Sequence, residues 1–415
     1  MNRQAPMPEL LAPAGGMEQL KTALRYGADA VYGGLQQFGL RAAAANFTPE
    51  TLTQATAEAH RRGKRFYVTL NLLPFDRDLE NYVQTARAAA DAGADAAIVS
   101  DLGAALALCE QVPQLPIHVS TQANVLNSRT ALHWANATRA ERIVLSREMS
   151  LEDIRIMRQN LPETVRLEAF VHGAMCVAYS GRCLLSAALT GRSANRGECA
   201  QSCRWHYAVA EEKRPGQWMP LVDTERGSAL FSAYDLCMLP HLPEMLAAGI
   251  SSLKIEGRMK TAYYVATVVS VYRRALDTLF HAGEAAYREA LPTLTDELNK
   301  GSHRASNTGF YFASPQPAAG AEGFEQTMEF VGQATRNAKP GEPAEILLKN
   351  RFYAGDTLEV LSPDGSHAFT AEPFTLVETG ETLNTYSVAG TKILMRIPFP
   401  VSEGDFLRGP NRNHL

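Results

Sequence analysis

The sequence predicts a TIM-like (β/α)8 barrel with a cysteine-rich insertion between strands 7 and 8, followed by a small C-terminal β-barrel. Three observations lead to this fold class. Eight short apolar runs alternate with helical stretches, five of the six cysteines crowd into residues 176–237, and short alternating strands replace this texture after residue 323. Continuously apolar strands joined by helices indicate a parallel sheet buried on both faces, and eight such units close into a barrel. An open doubly wound sheet is the alternative.

The predicted barrel strands are short runs rich in β-branched residues. They begin at Glu9, Ala28, Arg65, Asp95, Pro116, Arg142, Arg166 and Ser251. Apolar residues spaced about 3.6 apart predict helices between them, for example over residues 52–62 and 151–159. Thr48 before Pro49, and Ser150 before an acidic first turn, are typical helix start signals.

Most of these strands end in polar residues. In a parallel barrel such ends form the catalytic face, where loops converge on one pocket. The strand-end residues are Asn71, Asp101, Gln122, Asn124, Arg147, Glu148, His172, Glu256 and Arg258.

The chain divides into two predicted domains. Residues 1–313 form the barrel, with the insertion at residues 173–250. A linker rich in Ser, Pro, Ala and Gly follows at residues 314–323, and residues 324–415 form the C-terminal β-barrel. Guiding an RNA or protein partner and structural capping are equally open roles for the second domain.

Composition narrows the class of protein. A net charge of −4 argues against a chain coated in basic residues, although a local basic groove could bind RNA. The start of the chain does not resemble a signal peptide, and no apolar run reaches about 18 residues, so we expect a cytoplasmic protein without membrane spans.

The cysteines predict a metal or cluster site. In a cytoplasmic chain, Cys176, Cys183, Cys199 and Cys237 are read as thiols or metal ligands before disulfides. Neither a paired C-x2-C zinc knuckle nor a C-x3-C-x2-C motif is present, whereas four thiolates complete a 4Fe-4S or 2Fe-2S site. Redox thiols and unrelated structural cysteines are the alternatives. We favour Cys199 over the neighbouring Cys203 as a ligand.

Other chemistry has less support. Zinc-protease, nucleophile-elbow, Walker A and dinucleotide-binding motifs are all absent from the sequence. A thiol nucleophile at Cys176 or Cys183, with His172 as its base, is an alternative that leaves the other cysteines unexplained. Cys109, on an Ala/Leu-rich helix, is predicted to be a core thiol.

Residues 168–186, EAFVHGAMCVAYSGRCLLS, closely resemble a motif of the peptidase U32 (collagenase-like) family. The blocks at residues 9–15, 27–32, 195–205, 235–237 and 254–260 also resemble that family, so the resemblance spans about residues 8–280. It implies iron–sulfur-dependent hydroxylase chemistry, because several members are prephenate-dependent or oxygen-independent hydroxylases. These members act on tRNA, rRNA or a ubiquinone precursor.

The resemblance also implies specific roles. Carrying over the cluster-binding pattern gives Cys176, Cys183, Cys199 and Cys237. Some tRNA-hydroxylase relatives lack the counterpart of Cys237. The C-terminal domain makes the chain most similar to the prephenate-dependent tRNA hydroxylases that form 5-hydroxyuridine at the wobble position. A U32-type peptidase, or a hydroxylase of rRNA or of a ubiquinone precursor, is the alternative.

Prephenate carries two carboxylates, so its site requires cationic donors. Lys254 and Arg258 are the candidates, with Arg147 and Arg182 behind them. Structural ion pairs with Glu148, Glu168 or Glu256 are the competing interpretation. Glu256, at the end of the same strand, and the proton-shuttle candidates His118 and His172 complete the predicted catalytic set.

RNA contacts are predicted within the insertion, where charged and aromatic side chains alternate. Both types serve stacking and phosphate contacts. The candidates are Arg192, Arg196, Arg204, Trp205 and Tyr207. tRNA is thus the expected partner, with a homo-oligomer or a paired family subunit left open.

Overall fold

The computed structural model describes residues 6–40, 44–176, 178–205, 208–210, 218–220, 234–312 and 325–412. The predicted linker at residues 314–323 and the RNA candidate Tyr207 lie outside these ranges. Arg204 is described by its backbone alone.

Eight parallel strands form a closed barrel. Each pairs with the next along the chain, and the eighth pairs with both the first and the seventh, which closes the sheet. The predicted barrel is confirmed. Its first seven strands are β1 (Glu9–Pro13), β2 (Ala30–Gly34), β3 (Arg65–Leu70), β4 (Ala96–Val99), β5 (Ile117–Val119), β6 (Arg142–Val144) and β7 (Arg166–Ala174). The next three, β8 (Ala208–Ala210), β9 (Trp218–Pro220) and β10 (Asp235–Cys237), precede the closing strand β11 (Ser252–Ile255).

Helices cover the outside of the barrel, and two begin at the predicted signals. The Thr48 and Ser150 side chains accept hydrogen bonds from the third backbone N–H of their helices, which satisfies donors that have no partner within the helix. The helices are α1 (Met17–Arg25), α2 (Pro49–Arg61), α3 (Leu79–Asp91), α4 (Leu102–Gln111), α5 (Ser128–Thr138), α6 (Leu151–Gln159), α7 (Leu185–Thr190), α8 (Leu242–Ala247), α9 (Ala262–His281) and α10 (Gly283–Asn299).

The inside of the barrel contains a buried ionic network. The Arg142 guanidinium donates to Glu9 at 2.5 Å and to Glu168 at 2.9 Å, and Lys254 donates to the other oxygen of Glu168 at 2.8 Å. Burial acts to raise the pKa of Glu9, but the charge and hydrogen bond of Arg142 outweigh it, so the pKa is lowered. The network therefore holds the Glu9 carboxylate ionised inside the protein.

The C-terminal domain is an antiparallel sheet around its own apolar core. Ahead of it, the short strand β12 (Ser306–Asn307) pairs with β10 of the barrel sheet. The strands of the domain are β13 (Met328–Ala334), β14 (Pro343–Leu348), β15 (Phe352–Tyr353), β16 (Thr357–Ser362), β17 (Gly365–Thr370), β18 (Phe374–Leu376), β19 (Thr382–Leu383), β20 (Thr385–Tyr386), β21 (Lys392–Arg396) and β22 (Phe406–Pro410). Eight of them pair in the order β17-β16-β22-β13-β14-β21-β18-β19, and β15 pairs with β20. The predicted change to short alternating strands is confirmed.

The C-terminal domain is bonded to the helices of the barrel. Arg408 on β22 is fully buried and donates to Glu297 of α10 at 2.7 Å and to Glu359 of β16 at 2.6 Å. On the other side of the contact, the Tyr26 hydroxyl donates to the Leu361 carbonyl at 2.7 Å. The two domains therefore share buried polar contacts as well as apolar ones.

None of the helices in the described ranges is long and apolar enough to cross a membrane.

We predict that Arg408→Met lowers the free energy of unfolding by about 3–5 kcal/mol, because it leaves two carboxylates buried without their guanidinium. Urea denaturation measures the loss. Arg412→Met is the matched control, because the Arg412 side chain is 47% exposed in its pair with Asp356 and should cost less than about 1 kcal/mol. Equal losses in the two variants would contradict a structural role for the buried pair.

Candidate active site at the mouth of the barrel

A cavity opens at the carboxyl ends of the barrel strands. Five of the predicted strand-end residues line it, namely Asn71, Gln122, Arg147, Glu256 and Arg258. The remaining lining residues are Tyr32, Leu40, Thr69, Ile98, Ser120, Thr121, Val144, Phe170 and Lys254. This end of a (β/α)8 barrel is where such enzymes carry out their chemistry, so the cavity is the candidate active site.

Lys254 lies at the junction of the cavity and the buried ionic network. Its ammonium donates to Glu168 and stands 4.3 Å from the centre of the Tyr32 ring. The side chain is buried, and two neighbours fix its position. The predicted alternative, an ion pair with Glu168, is therefore present, and it places the charged group at the edge of the cavity.

Arg258 reaches the cavity through space left by two glycines. Its Nη1 donates to the Thr69 hydroxyl at 2.8 Å. A Cβ at Gly34 would lie 2.3 Å from that same Nη1, and a Cβ at Gly15 would lie 2.1 Å from the Arg258 carbonyl oxygen. Any larger residue at either position would displace the arginine, so these glycines help to build the site.

Arg147 and Glu256 form a second ion pair in the cavity wall. Arg147 donates to Glu256 at 2.9 Å and to the Ala174 carbonyl at 3.0 Å, and its guanidinium lies 3.9 Å from the centre of the Phe170 ring. The described lining thus carries three cations and one carboxylate. A surplus of fixed positive charge in a partly enclosed cavity favours an anionic ligand.

The two predicted proton-shuttle histidines are buried outside the described cavity lining. His118 stands 4.6 Å from the Tyr67 ring, and burial, followed by the charge of Arg142, holds its pKa well below the usual value. His172 packs against Tyr264 and Tyr272 of α9, and burial lowers its pKa to about 4. Both imidazoles are therefore neutral near pH 7.

Residues 178–205, which we call the lid segment, are bonded to the loops around the cavity. Ser180 bonds Glu148, after β6, and Arg182 donates to the Gln122 carbonyl, after β5, at 2.9 Å. Arg196 donates to Asp78, before α3, at 2.6 Å. These three contacts attach the lid segment to the rim of the barrel mouth. Arg182 therefore lies on the rim, outside the described lining of the cavity.

The predicted ligand cysteines are divided between the surface and the interior. Cys176 and Cys199 are exposed, and Asn195 binds both backbone polar groups of Cys183. Cys237 pairs opposite His172 on the edge of β7, with its sulfur 4.0 Å from the Tyr272 hydroxyl, and burial raises the pKa of its thiol. Within the described ranges, no three His, Cys, Asp or Glu side chains are placed to hold one metal ion. As described, the thiols do not converge into a four-ligand site.

The remaining cysteines have separate surroundings. Cys109 is partly buried against the core, and its thiol donates to the Thr138 carbonyl at 3.1 Å, as suits a structural thiol. Cys203, the cysteine passed over as a ligand, is half-buried in the lid segment.

Two of the predicted RNA contacts, Arg192 and Trp205, are exposed on the lid segment, and Trp205 is 45% exposed. Arg196 is engaged with Asp78. The sequence patterns did not single out Phe75, an exposed ring beneath Arg196. The available signal was an apolar residue among the charges of PFDRD, a few residues after β3.

The inner wall of the cavity includes two residues that the sequence patterns did not mark as functional. Tyr32 and Thr69 belong to apolar strand runs and line the cavity. Alternate residues of a strand point to the same side, so the polar strand end Asn71 would have placed Thr69, two residues earlier, on the cavity side. The second strand ends in two glycines, so it offered no such reference for Tyr32.

Similarity to known proteins is extensive. "Peptidase family U32" matches residues 15–320, and "Peptidase family U32 C-terminal domain" matches residues 326–408. The chain is 35% identical over 408 residues to the tRNA hydroxylation protein P of Escherichia coli (strain K12), with 88% of each chain covered. It is 34% identical over 385 residues to a 23S rRNA 5-hydroxycytidine synthase of the same bacterium, covering 92% of this chain and 56% of that protein.

A third relative is named as a collagenase and not as a hydroxylase. The chain is 33% identical over 313 residues to the collagenase of Porphyromonas gingivalis (strain ATCC BAA-308 / W83), with 73% of each chain covered. The family matches together span most of the barrel and of the β domain. The predicted resemblance is confirmed, and the chain belongs to peptidase family U32.

Proposed function

We propose that this chain is a tRNA hydroxylase that forms 5-hydroxyuridine at the wobble position, with prephenate as co-substrate. The observation that carries the proposal is the cavity, whose described lining presents Arg147, Lys254 and Arg258 against one carboxylate, Glu256. A small dianion suits such a site because each carboxylate can accept charge-assisted hydrogen bonds.

The relatives favour tRNA over other substrates. The tRNA hydroxylation protein is matched over 88% of its length, whereas the rRNA hydroxycytidine synthase is matched over 56%. A large part of the rRNA hydroxycytidine synthase therefore lies outside its match to this chain.

The residues of the chain have distinct roles in this proposal. Arg258 and Lys254 bind the carboxylates of the co-substrate, and Arg147, paired with Glu256, orients it. Glu168 is a positioning residue, because it holds the Lys254 ammonium at 2.8 Å. A cation that is already oriented loses less conformational entropy on binding. The lid segment excludes water from the mouth, which strengthens these charge interactions.

The proposal includes a 4Fe-4S cluster bound by Cys176, Cys183, Cys199 and Cys237. When bound, such a cluster supplies Lewis-acid or electron-transfer chemistry. Thiolates are the usual ligands of these clusters, and four such residues occur between β7 and β11. Because the described thiols do not converge, this part of the proposal rests on their chemistry and grouping along the chain.

A peptidase is the second candidate, since the collagenase relative is 33% identical. The thiol–histidine pair considered from the sequence gains little support. His172 is enclosed by Tyr264 and Tyr272, whereas a general base for peptide cleavage must reach both the nucleophile and the substrate.

We predict that Arg258→Met weakens prephenate binding about 10- to 100-fold, the loss expected for a hydrogen bond between charged groups. Isothermal titration calorimetry measures the affinity, and mass spectrometry of tRNA nucleosides from a complemented deletion strain measures the product. Arg155→Met, an exposed position on the outer helix α6, is the control. If folded Arg258→Met protein binds prephenate with wild-type affinity, Arg258 is not part of the co-substrate site.

We predict about four irons and four labile sulfides per chain after anaerobic purification. Cys176→Ala and Cys199→Ala should each lose iron and visible absorbance, while Cys109→Ala and Cys203→Ala should retain both. Iron and sulfide assays with absorption spectra test this directly. Iron-free wild-type protein, together with hydrolysis of gelatin, would favour the peptidase instead.

A further inference from the structure

An exposed aromatic ring lies beside two arginines at the edge of the barrel mouth. The Phe75 side chain is 56% exposed. The Arg77 guanidinium carbon lies 5.0 Å from the centre of its ring, and that of Arg196 lies 5.1 Å away. An exposed large apolar side chain beside fixed cations marks an interaction surface rather than a core position.

The ring is held in place by both chain segments that meet there. The Phe75 backbone N–H donates to the Asp78 carboxylate at 2.8 Å, and the same carboxylate accepts from Arg196 of the lid segment at 2.6 Å. Arg196 also donates to the Leu73 carbonyl at 3.3 Å. Hydrogen bonding to Arg196, reinforced by the Phe75 backbone, lowers the pKa of Asp78, so the carboxylate stays ionised.

The position of the ring relates it to the cavity. Asn71, four residues before Phe75, lines the cavity and donates to Gln122, another lining residue, at 3.3 Å. Four residues span at most about 14 Å of chain. A nucleotide beside the one entering the cavity is therefore within reach of the ring.

We propose that Phe75, with Arg77 and Arg196, is a stacking platform for an unpaired RNA base next to the nucleotide that is modified. The inference rests on the proposed function and names a binding site for the same substrate. Single-stranded RNA combines the two chemistries that this surface offers, because its bases stack on aromatic rings and its phosphates bind guanidinium groups. A peptide would share only part of this complementarity, since the platform combines one exposed ring with two guanidinium groups that lie 5.0 Å and 5.1 Å from its centre.

The test measures binding of an anticodon stem–loop RNA to the full-length chain by fluorescence anisotropy at fixed salt. Phe75→Ala should weaken affinity about 5- to 150-fold, the loss typical of one base–aromatic stack. Phe75→Trp should retain affinity because it keeps a stacking surface, whereas Phe75→Leu, apolar but not aromatic, should resemble Phe75→Ala. Arg77→Met should weaken binding and reduce the slope of log affinity against log salt by about one.

Prephenate affinity and the urea midpoint of the Phe75 variants provide the controls, and both should equal those of the wild type. Wild-type RNA affinity in Phe75→Ala, or in Phe75→Leu, would overturn the platform while leaving the hydroxylase proposal intact. A wild-type chain that neither binds the stem–loop nor restores 5-hydroxyuridine would overturn the proposed function itself. If the Phe75→Ala variant keeps its affinity for RNA but loses binding to a protein partner, the platform is a protein contact, and the RNA inference is overturned.

Discussion

The buried guanidinium of Arg142 is the interaction on which the barrel and its cavity both depend. It joins Glu9 of β1 to Glu168 of β7, and Ser252 of the closing strand β11 bonds both carboxylates. The network thus crosses the seam where the barrel closes. Removing these charges from water is costly, so the pairs must be complete to be tolerated. Glu168 also bonds Lys254, and in this way one polar centre supports both the closed sheet and the charged floor of the cavity.

The insertion between β7 and β11 brings several functions to one end of the barrel. Its lid segment bonds the loops that follow three barrel strands and also carries most of the grouped cysteines. Such a segment can be long because it is fastened at several separate places, each with a hydrogen bond or ion pair. The scaffold beneath supplies rigidity, while the loops supply the side chains that contact ligands.

The second domain is positioned by contacts that differ from those of the active site. Arg408 is buried between Glu297 of the barrel helices and Glu359 of its own sheet, and Tyr263 stacks on Phe330 with ring centres 5.6 Å apart. Buried, directional contacts of this kind fix an orientation, whereas an apolar contact alone would tolerate sliding. A domain held in this way can present a constant surface to a large substrate.

Local patterns in the sequence determined the barrel, the helix starts at Thr48 and Ser150, and the chemistry of the strand ends, because each depends on residues only a few positions apart. Tertiary structure decided the partners. Glu9 and Arg142 are 133 residues apart, and only closure of the sheet brings them together. Closure likewise selected which strand ends line the cavity, and packing against α9 enclosed His172, which the sequence had assigned to catalysis. Periodicity is encoded locally, whereas ion pairs and cavity walls depend on which strands meet across the barrel.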